Sequence, residues 1–170
     1  MSRWAVLVLV TVAHALGAFS VLSVAPLSPF LLDALRLSRA QVGLFLPAVY
    51  LGGVAMSLSA GWLTDRLGVR PTLALGQLVT GAMVALAALS GDVGSLLVFL
   101  VFAGFGFSVL NPASGKAIVD WFPSRERGLA MGVKQTGLTL GGIGASLVLP
   151  PIALALGWRE GRRHEARDAR

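Results

Sequence analysis

Two lysines, Lys116 and Lys134, stand out because each lies inside a long apolar stretch of the chain. A charged side chain within a membrane span usually faces a water-filled cavity or a partner. At about 1.5 Å of rise per helical residue, they would lie roughly 7 and 10 Å from the inner ends of two consecutive helices. Two cations at similar depth would attract an anion. The alternatives are that both side chains extend to the membrane interface, or that Lys116 pairs with Asp120 one turn later.

His14 and Tyr50 fall near the middle of the first and second apolar stretches. A histidine at that depth could relay protons, because its side chain titrates near neutral pH. The interpretation we favour is a neutral histidine that is hydrogen-bonded between helices. The chain has no cysteine, and its only other histidine is His164, so the sequence predicts neither a metal site nor a cofactor.

The elements that position these residues are predicted to be membrane helices. Of 170 residues, 55% are hydrophobic and only 13% are charged, with a mean hydropathy of +0.78. A helix satisfies its own backbone in hydrocarbon, and about 20 apolar residues cross a bilayer. The sequence therefore predicts an all-α polytopic bundle embedded in the lipid bilayer. The expected spans are residues 4–25, 41–63, 71–90, 95–121 and 125–156.

The segments between and after the spans are predicted from proline and charge. Pro26 and Pro29 are expected to end the first helix, which leaves residues 26–40 as a connection. Residues 158–170 form a charged tail that follows a transmembrane domain of residues 1–157. The net charge of +6 lies mostly in this tail and at the ends of the spans, so it does not indicate a nucleic-acid partner.

A short charged stretch, residues 61–71, separates two long runs without charge. This pattern predicts the tight connection of a helical hairpin, in which two glycines allow the backbone to turn. The pattern resembles the signature loop of the major facilitator superfamily (MFS) of secondary transporters. Its matching residues, Gly61, Leu63, Asp65, Arg66, Gly68 and Arg70, stand between the second and third helices, as in that family.

The resemblance implies that this loop gates the transporter. In the family it holds the inner ends of helices closed, and the acidic residue interacts with the positive end of a helix in the other half. The implied gating residues are Gly61, Asp65, Arg66, Gly68 and Arg70. The alternative is a solvated turn with an ordinary surface ion pair, worth under about 1 kcal/mol.

The stretches around the two lysines, residues 111–128 and 131–137, resemble an MFS branch with organic-anion members. This resemblance implies alternating-access transport of a small solute, with an organic anion as the candidate class and H⁺ as a candidate coupling ion. Leu100 stands where many proton-coupled members have an arginine. Its presence weakens the case for proton coupling through such an arginine. The glycines from Gly128 to Gly142 partly resemble an antiporter motif, and close helix packing explains them sufficiently. The implied solute-binding residues are Lys116, Lys134, Tyr50, His14, Asn111 and Gln135.

Lysine and arginine counts predict a cytoplasmic N-terminus, and we expect the membrane to be the plasma membrane of a bacterium. With that orientation the inner segments hold five basic residues and the outer segments hold two before the tail. MFS proteins normally continue into a sixth helix and a second six-helix half. We therefore expect an incomplete fragment that needs a missing C-terminal half or a partner subunit. The alternative is a non-transporting membrane protein, either a truncated gene product or a small helix-packing subunit.

Overall fold

The computed structural model describes residues 2–155, apart from the side chains of residues 33 and 34. The predicted all-α membrane bundle is confirmed, and the predicted tail at residues 158–170 lies outside the described residues. The described helices are α1 (Arg3–Leu22), α2 (Val24–Leu35), α3 (Arg39–Val42), α4 (Phe45–Leu67), α5 (Val69–Ala88), α6 (Val93–Ser108), α7 (Leu110–Trp121) and α8 (Ser124–Ala155). They form five stretches long and apolar enough to cross a membrane: Arg3–Leu32, Arg39–Leu67, Val69–Ala88, Val93–Trp121 and Ser124–Ala155, here numbered spans 1 to 5.

The first span is longer than the sequence predicts, because α2 contains both prolines that were expected to end it. Pro26 is the third residue of α2, where a backbone N–H has no helical partner in any case. Pro29 lies further inside and leaves the carbonyl of Ala25 without its usual donor. The hydroxyl of Ser28 donates to that carbonyl at 2.7 Å. A neighbouring side chain thus replaces the lost hydrogen bond, and the prediction of a non-helical connection from residue 26 onwards is wrong.

The charged stretch between spans 2 and 3 is mostly helical. Helix α4 continues to Leu67 and α5 begins at Val69, so Gly68 alone forms the turn. Its φ of 85° lies in the region that favours glycine. Gly61 lies within α4, and a side chain there would meet open space. The prediction that two glycines make the turn is therefore wrong for Gly61, since one residue with positive φ suffices to reverse the chain.

Close approach of small residues sets how the spans pack. Helix α1 packs along α8, and α6 packs against both α4 and α5. A methyl group on Gly104 of α6 would overlap the carbonyl oxygen of Val49 in α4. One on Gly137 of α8 would overlap the carbonyl oxygen of Thr11 in α1. Small residues let helix backbones approach closely in membranes, which supports the packing interpretation of the α8 glycines.

Two apolar clusters fill opposite ends of the bundle. One includes Val10, Ile118 and Phe122, and the other includes Val21 and Leu100. His14 lies between these clusters along α1, and Asn111 lies between them along span 4. The fold therefore places a polar layer between two apolar ones. Large apolar side chains on the outside, such as Leu58, are exposed, which suits a surface that faces acyl chains.

Candidate functional site

Span 4 is interrupted near its middle, and the interruption positions Asn111. Helix α6 ends at Ser108, and α7 begins at Leu110. Pro112 lies in the first turn of α7, where its missing N–H is tolerated. Interrupted helices near the bilayer midplane are where many transporters form their binding sites. Asn111 is exposed at this point, so a ligand can approach its side chain.

The amide of Asn111 joins side chains from three spans. Its Oδ1 lies 3.2 Å from Nε2 of His14 and 3.2 Å from Nζ of Lys134. A lysine ammonium can only donate, so the amide atom that faces it must be the oxygen. The Nε2 of His14 must then carry a proton in order to bond to the same oxygen. We refer to His14, Asn111 and Lys134 as the polar cluster.

Lys134 is a buried cation with few partners. Its relative exposure is 5%, and its one hydrogen bond in the described residues goes to Asn111. None of the carboxylates that the structure describes forms an ion pair with it. An ammonium has three N–H donors, so two remain for a ligand. Charged residues within membrane spans are costly, and they usually mark functional sites.

Lys116 has a different partner. Its Nζ lies 2.5 Å from Oδ1 of Asp65 on α4, an ion pair that is partly exposed on both sides. The structure therefore gives the two lysines separate environments, whereas the sequence analysis expects them to share an anion. The hydrogen-bonding partner is also not Asp120, the residue considered as the alternative.

All the predicted gating residues except Gly61, which lies further inside α4, are at the end of the hairpin formed by α4 and α5. Asp65 and Arg66 occupy the last turn of α4, and Arg70 occupies the first turn of α5. The guanidinium of Arg66 stacks over the ring of Trp62 at 5.2 Å from its centroid. Such stacking of a cation on an indole suits the interface between membrane and water.

Two predicted binding residues lie apart from the polar cluster. Tyr50 is 64% exposed, and Gln135 is exposed as well. In the described part of the chain neither makes a hydrogen bond to His14, Asn111 or Lys134. Gln135 follows Lys134 directly, which turns it about 100° around the helix axis and onto another face.

Gln77 on α5 was not among the residues predicted from the sequence. Its Nε2 donates to the backbone carbonyl of Ala13, directly before His14 in α1. The bond ties span 3 to span 1 at the level of the polar cluster. Gln77 is an amide in a long run without charge, and this isolation was the signal that could have indicated it. No group of three or more His, Asp or Glu residues able to hold a metal occurs within residues 2–155.

Comparison with known proteins decides the family. The family model for the Major Facilitator Superfamily matches residues 7–161. The chain belongs to this superfamily. The resemblance drawn from the charged stretch is thereby confirmed, and the chain is a multi-pass membrane protein of a transporter family.

The relatives are transporters that are longer than this chain. An MFS-type transporter of Mycobacterium tuberculosis is 34% identical over 155 residues, which cover 89% of this chain and 34% of that protein. The hexuronate transporter of Bacillus subtilis is 31% identical over 140 residues, covering 82% and 33% of the two chains. The fold also matches a crystal structure of a bacterial homologue of the human lysosomal transporter Spinster in an inward-facing and occupied conformation. The TM-score is 0.78 and the sequence identity is 25%, and the match covers 84% of this chain and 31% of that chain. This MFS chain thus spans about a third of the length of the curated relatives it matches.

Proposed function

We propose that this MFS chain forms one wall of the solute pathway of a plasma-membrane transporter for small organic anions, which works by alternating access. The observation that supports this most strongly is the burial of Lys134 without a carboxylate partner in the described residues. A charged lysine within a membrane span is costly, by up to about 2.5–3.5 kcal/mol for a position at the span centre on insertion scales. An anionic solute is the partner that would offset this cost.

A relative and the position of the cluster give further support. The hexuronate transporter of Bacillus subtilis is named for a sugar acid, whose carboxylate is ionised at neutral pH. In this chain the cluster lies beside the interruption of span 4, the kind of place where transporters bind solutes. The remaining two thirds of such a transporter would supply the opposite wall of the pathway.

The hairpin end would serve as the gate of the same transporter. We place Gly61, Asp65, Arg66, Gly68 and Arg70 on the cytoplasmic side, with the N-terminus also cytoplasmic. The Lys116–Asp65 ion pair then ties span 4 to span 2 at that side. A solute that binds near Asn111 lies about five helical residues, or roughly 7.5 Å, from this pair along α7. The gate and the binding site would therefore share one helix.

Binding of galacturonate to the purified chain in lipid nanodiscs tests the proposal. The ammonium attracts a carboxylate at 4 Å by about 4 kcal/mol at an effective dielectric of 20. Desolvation leaves a net of about 1–3 kcal/mol, or roughly 5- to 150-fold in affinity. We expect Lys134→Gln to weaken binding by at least fivefold, and Arg36→Gln, at an exposed position, to leave it unchanged.

Competition with galactose supplies the matched control, because it is a sugar of similar size without the carboxylate. Labelled galacturonate should be displaced by unlabelled galacturonate at far lower concentrations than by galactose. Equal competition by galactose would contradict the proposal, as would equal affinity of the Lys134→Gln variant and the parent. Absence of any saturable binding to the parent would also contradict a binding wall formed by this chain.

A further inference from the structure

We infer that Asn111 is the residue that recognises the carboxylate of the solute, and that His14 is a positioning residue that fixes the direction of its amide. This inference rests on the proposed function and makes it more specific. It follows from the contacts of the amide oxygen and from the N–H donors that remain free to bind a ligand. The solutes selected in this way are deprotonated carboxylates.

The direction of the Asn111 amide is set by two donors. Both His14 Nε2 and Lys134 Nζ lie 3.2 Å from Oδ1. Turning the amide over would bring its N–H groups against the ammonium, and donors facing donors repel. The terminal torsion of an asparagine amide is otherwise broad and roughly two-fold, so the side chain by itself has little preference between the two directions. The two neighbours therefore select one of two directions.

The selected direction leaves only donors for a ligand. The Nδ2 of Asn111 carries two N–H groups, which have no acceptor among the atoms that the structure describes, and the residue is exposed. The ammonium of Lys134 keeps two further N–H groups. A carboxylate has acceptors alone, so it can use donors from both residues. A carboxylic acid or an amide would bring its own donor into the same space and lose a hydrogen bond.

His14 itself does not reach the solute. Its relative exposure is 1%, because the side chain is buried where α1 packs against its neighbouring helices. Without His14, the amide oxygen of Asn111 would keep one donor instead of two, and the reversed direction would become more populated. In that direction the amide oxygen faces the carboxylate of the solute, and the two negatively polarised groups repel each other. His14 therefore acts on binding through Asn111.

A double-mutant cycle measured by galacturonate binding in nanodiscs tests this inference. A hydrogen bond to a charged group is typically worth about tenfold or more in affinity, so we expect Asn111→Leu and His14→Leu each to weaken binding by about tenfold. If His14 acts through Asn111, the double variant should be no weaker than Asn111→Leu. Multiplying effects would overturn the positioning role, and an unchanged Asn111→Leu would overturn the recognition role.

Two further measurements guard against misfolding and against a merely structural role. His14→Gln keeps a donor that can reach the same oxygen, so it should bind within about threefold of the parent if hydrogen bonding is what matters. Loss of binding by His14→Gln, with helicity and elution volume unchanged, would count against the inference. In a His164→Gln background, nitrogen NMR should show His14 protonated at Nε2 and not at Nδ1. The opposite tautomer would overturn the assigned direction of the amide.

The outcomes separate this inference from the proposed function. If Lys134→Gln loses binding while Asn111→Leu does not, the anion site stands and the role of Asn111 fails. If the parent does not bind galacturonate, the proposed function itself fails. If all three single variants lose binding and the cycle is non-additive, both stand.

Discussion

Replacing Gly137 by alanine should both destabilise the bundle and weaken anion binding, because this glycine brings α8 against α1 one turn from Lys134. An added Cβ would overlap the carbonyl oxygen of Thr11 and lie 3.1 Å from the Cβ of His14. Since non-bonded carbon atoms pack at about 3.5–4 Å, the helices must separate by roughly 1 Å. Overpacking of this kind costs about 1–3 kcal/mol.

The same displacement disturbs the polar cluster. The hydrogen bonds from His14 and Lys134 to Asn111 are both 3.2 Å long. A separation of roughly 1 Å takes at least one of them beyond the distance at which a hydrogen bond is effective. We therefore expect Gly137→Ala to weaken galacturonate binding by about tenfold, the effect of losing one such bond to a charged group.

The assay is unfolding of the purified chain by SDS in mixed micelles, followed by far-ultraviolet circular dichroism, together with binding in nanodiscs. Gly132→Ala is the matched control on the same helix, since a Cβ there meets no atom within 4 Å. Alanine is the better helix former, so this control should be as stable as the parent or slightly more stable. If Gly137→Ala matches Gly132→Ala in stability and affinity, the argument from close packing is refuted.

Two further predictions concern the charged end of the bundle. Arg66 precedes span 3 and Asp92 follows it, so single cysteines at these positions should react from opposite sides of the membrane with an impermeant reagent, with Arg66 cytoplasmic; labelling from the same side would contradict the five-span topology. Lys116→Gln should change galacturonate affinity by less than about twofold, because Lys116 is paired with Asp65; a loss as large as that of Lys134→Gln would restore the two-lysine anion site.

The members of the polar cluster could be singled out from the sequence because they contrast with their surroundings, although their contacts with one another were not predicted. His14 and Lys134 are polar residues in apolar runs, and Asn111 lies in a stretch with a family resemblance. Depth along a helix follows from counting residues at a fixed rise, so the level of these side chains could also be predicted. Burial in hydrocarbon penalises such residues strongly enough that their presence is informative on its own.

The partners of the charged residues could not be predicted in the same way. Lys116 pairs with Asp65, which is 51 residues away in the sequence and on a different span. Which faces of two helices meet depends on packing, here set by glycines that are common throughout the chain. Counting gives the depth of Tyr50 and Gln135 but not the face on which they lie. The single-residue turn at Gly68 was missed for a related reason, because charge and glycine mark the region of a turn without fixing its length.

The different environments of the two lysines carry the functional argument furthest. Lys116 is partly exposed and lies beside a carboxylate, so its charge needs no further partner. Lys134 is buried and lies beside an amide oxygen that it shares with His14. An amide oxygen carries only a partial charge, so it offsets desolvation of an ammonium less than a carboxylate does. A leucine at position 134 would avoid that cost if packing were the only requirement. Under the proposed function, a bound anionic solute supplies the negative charge that Lys134 lacks among the described residues.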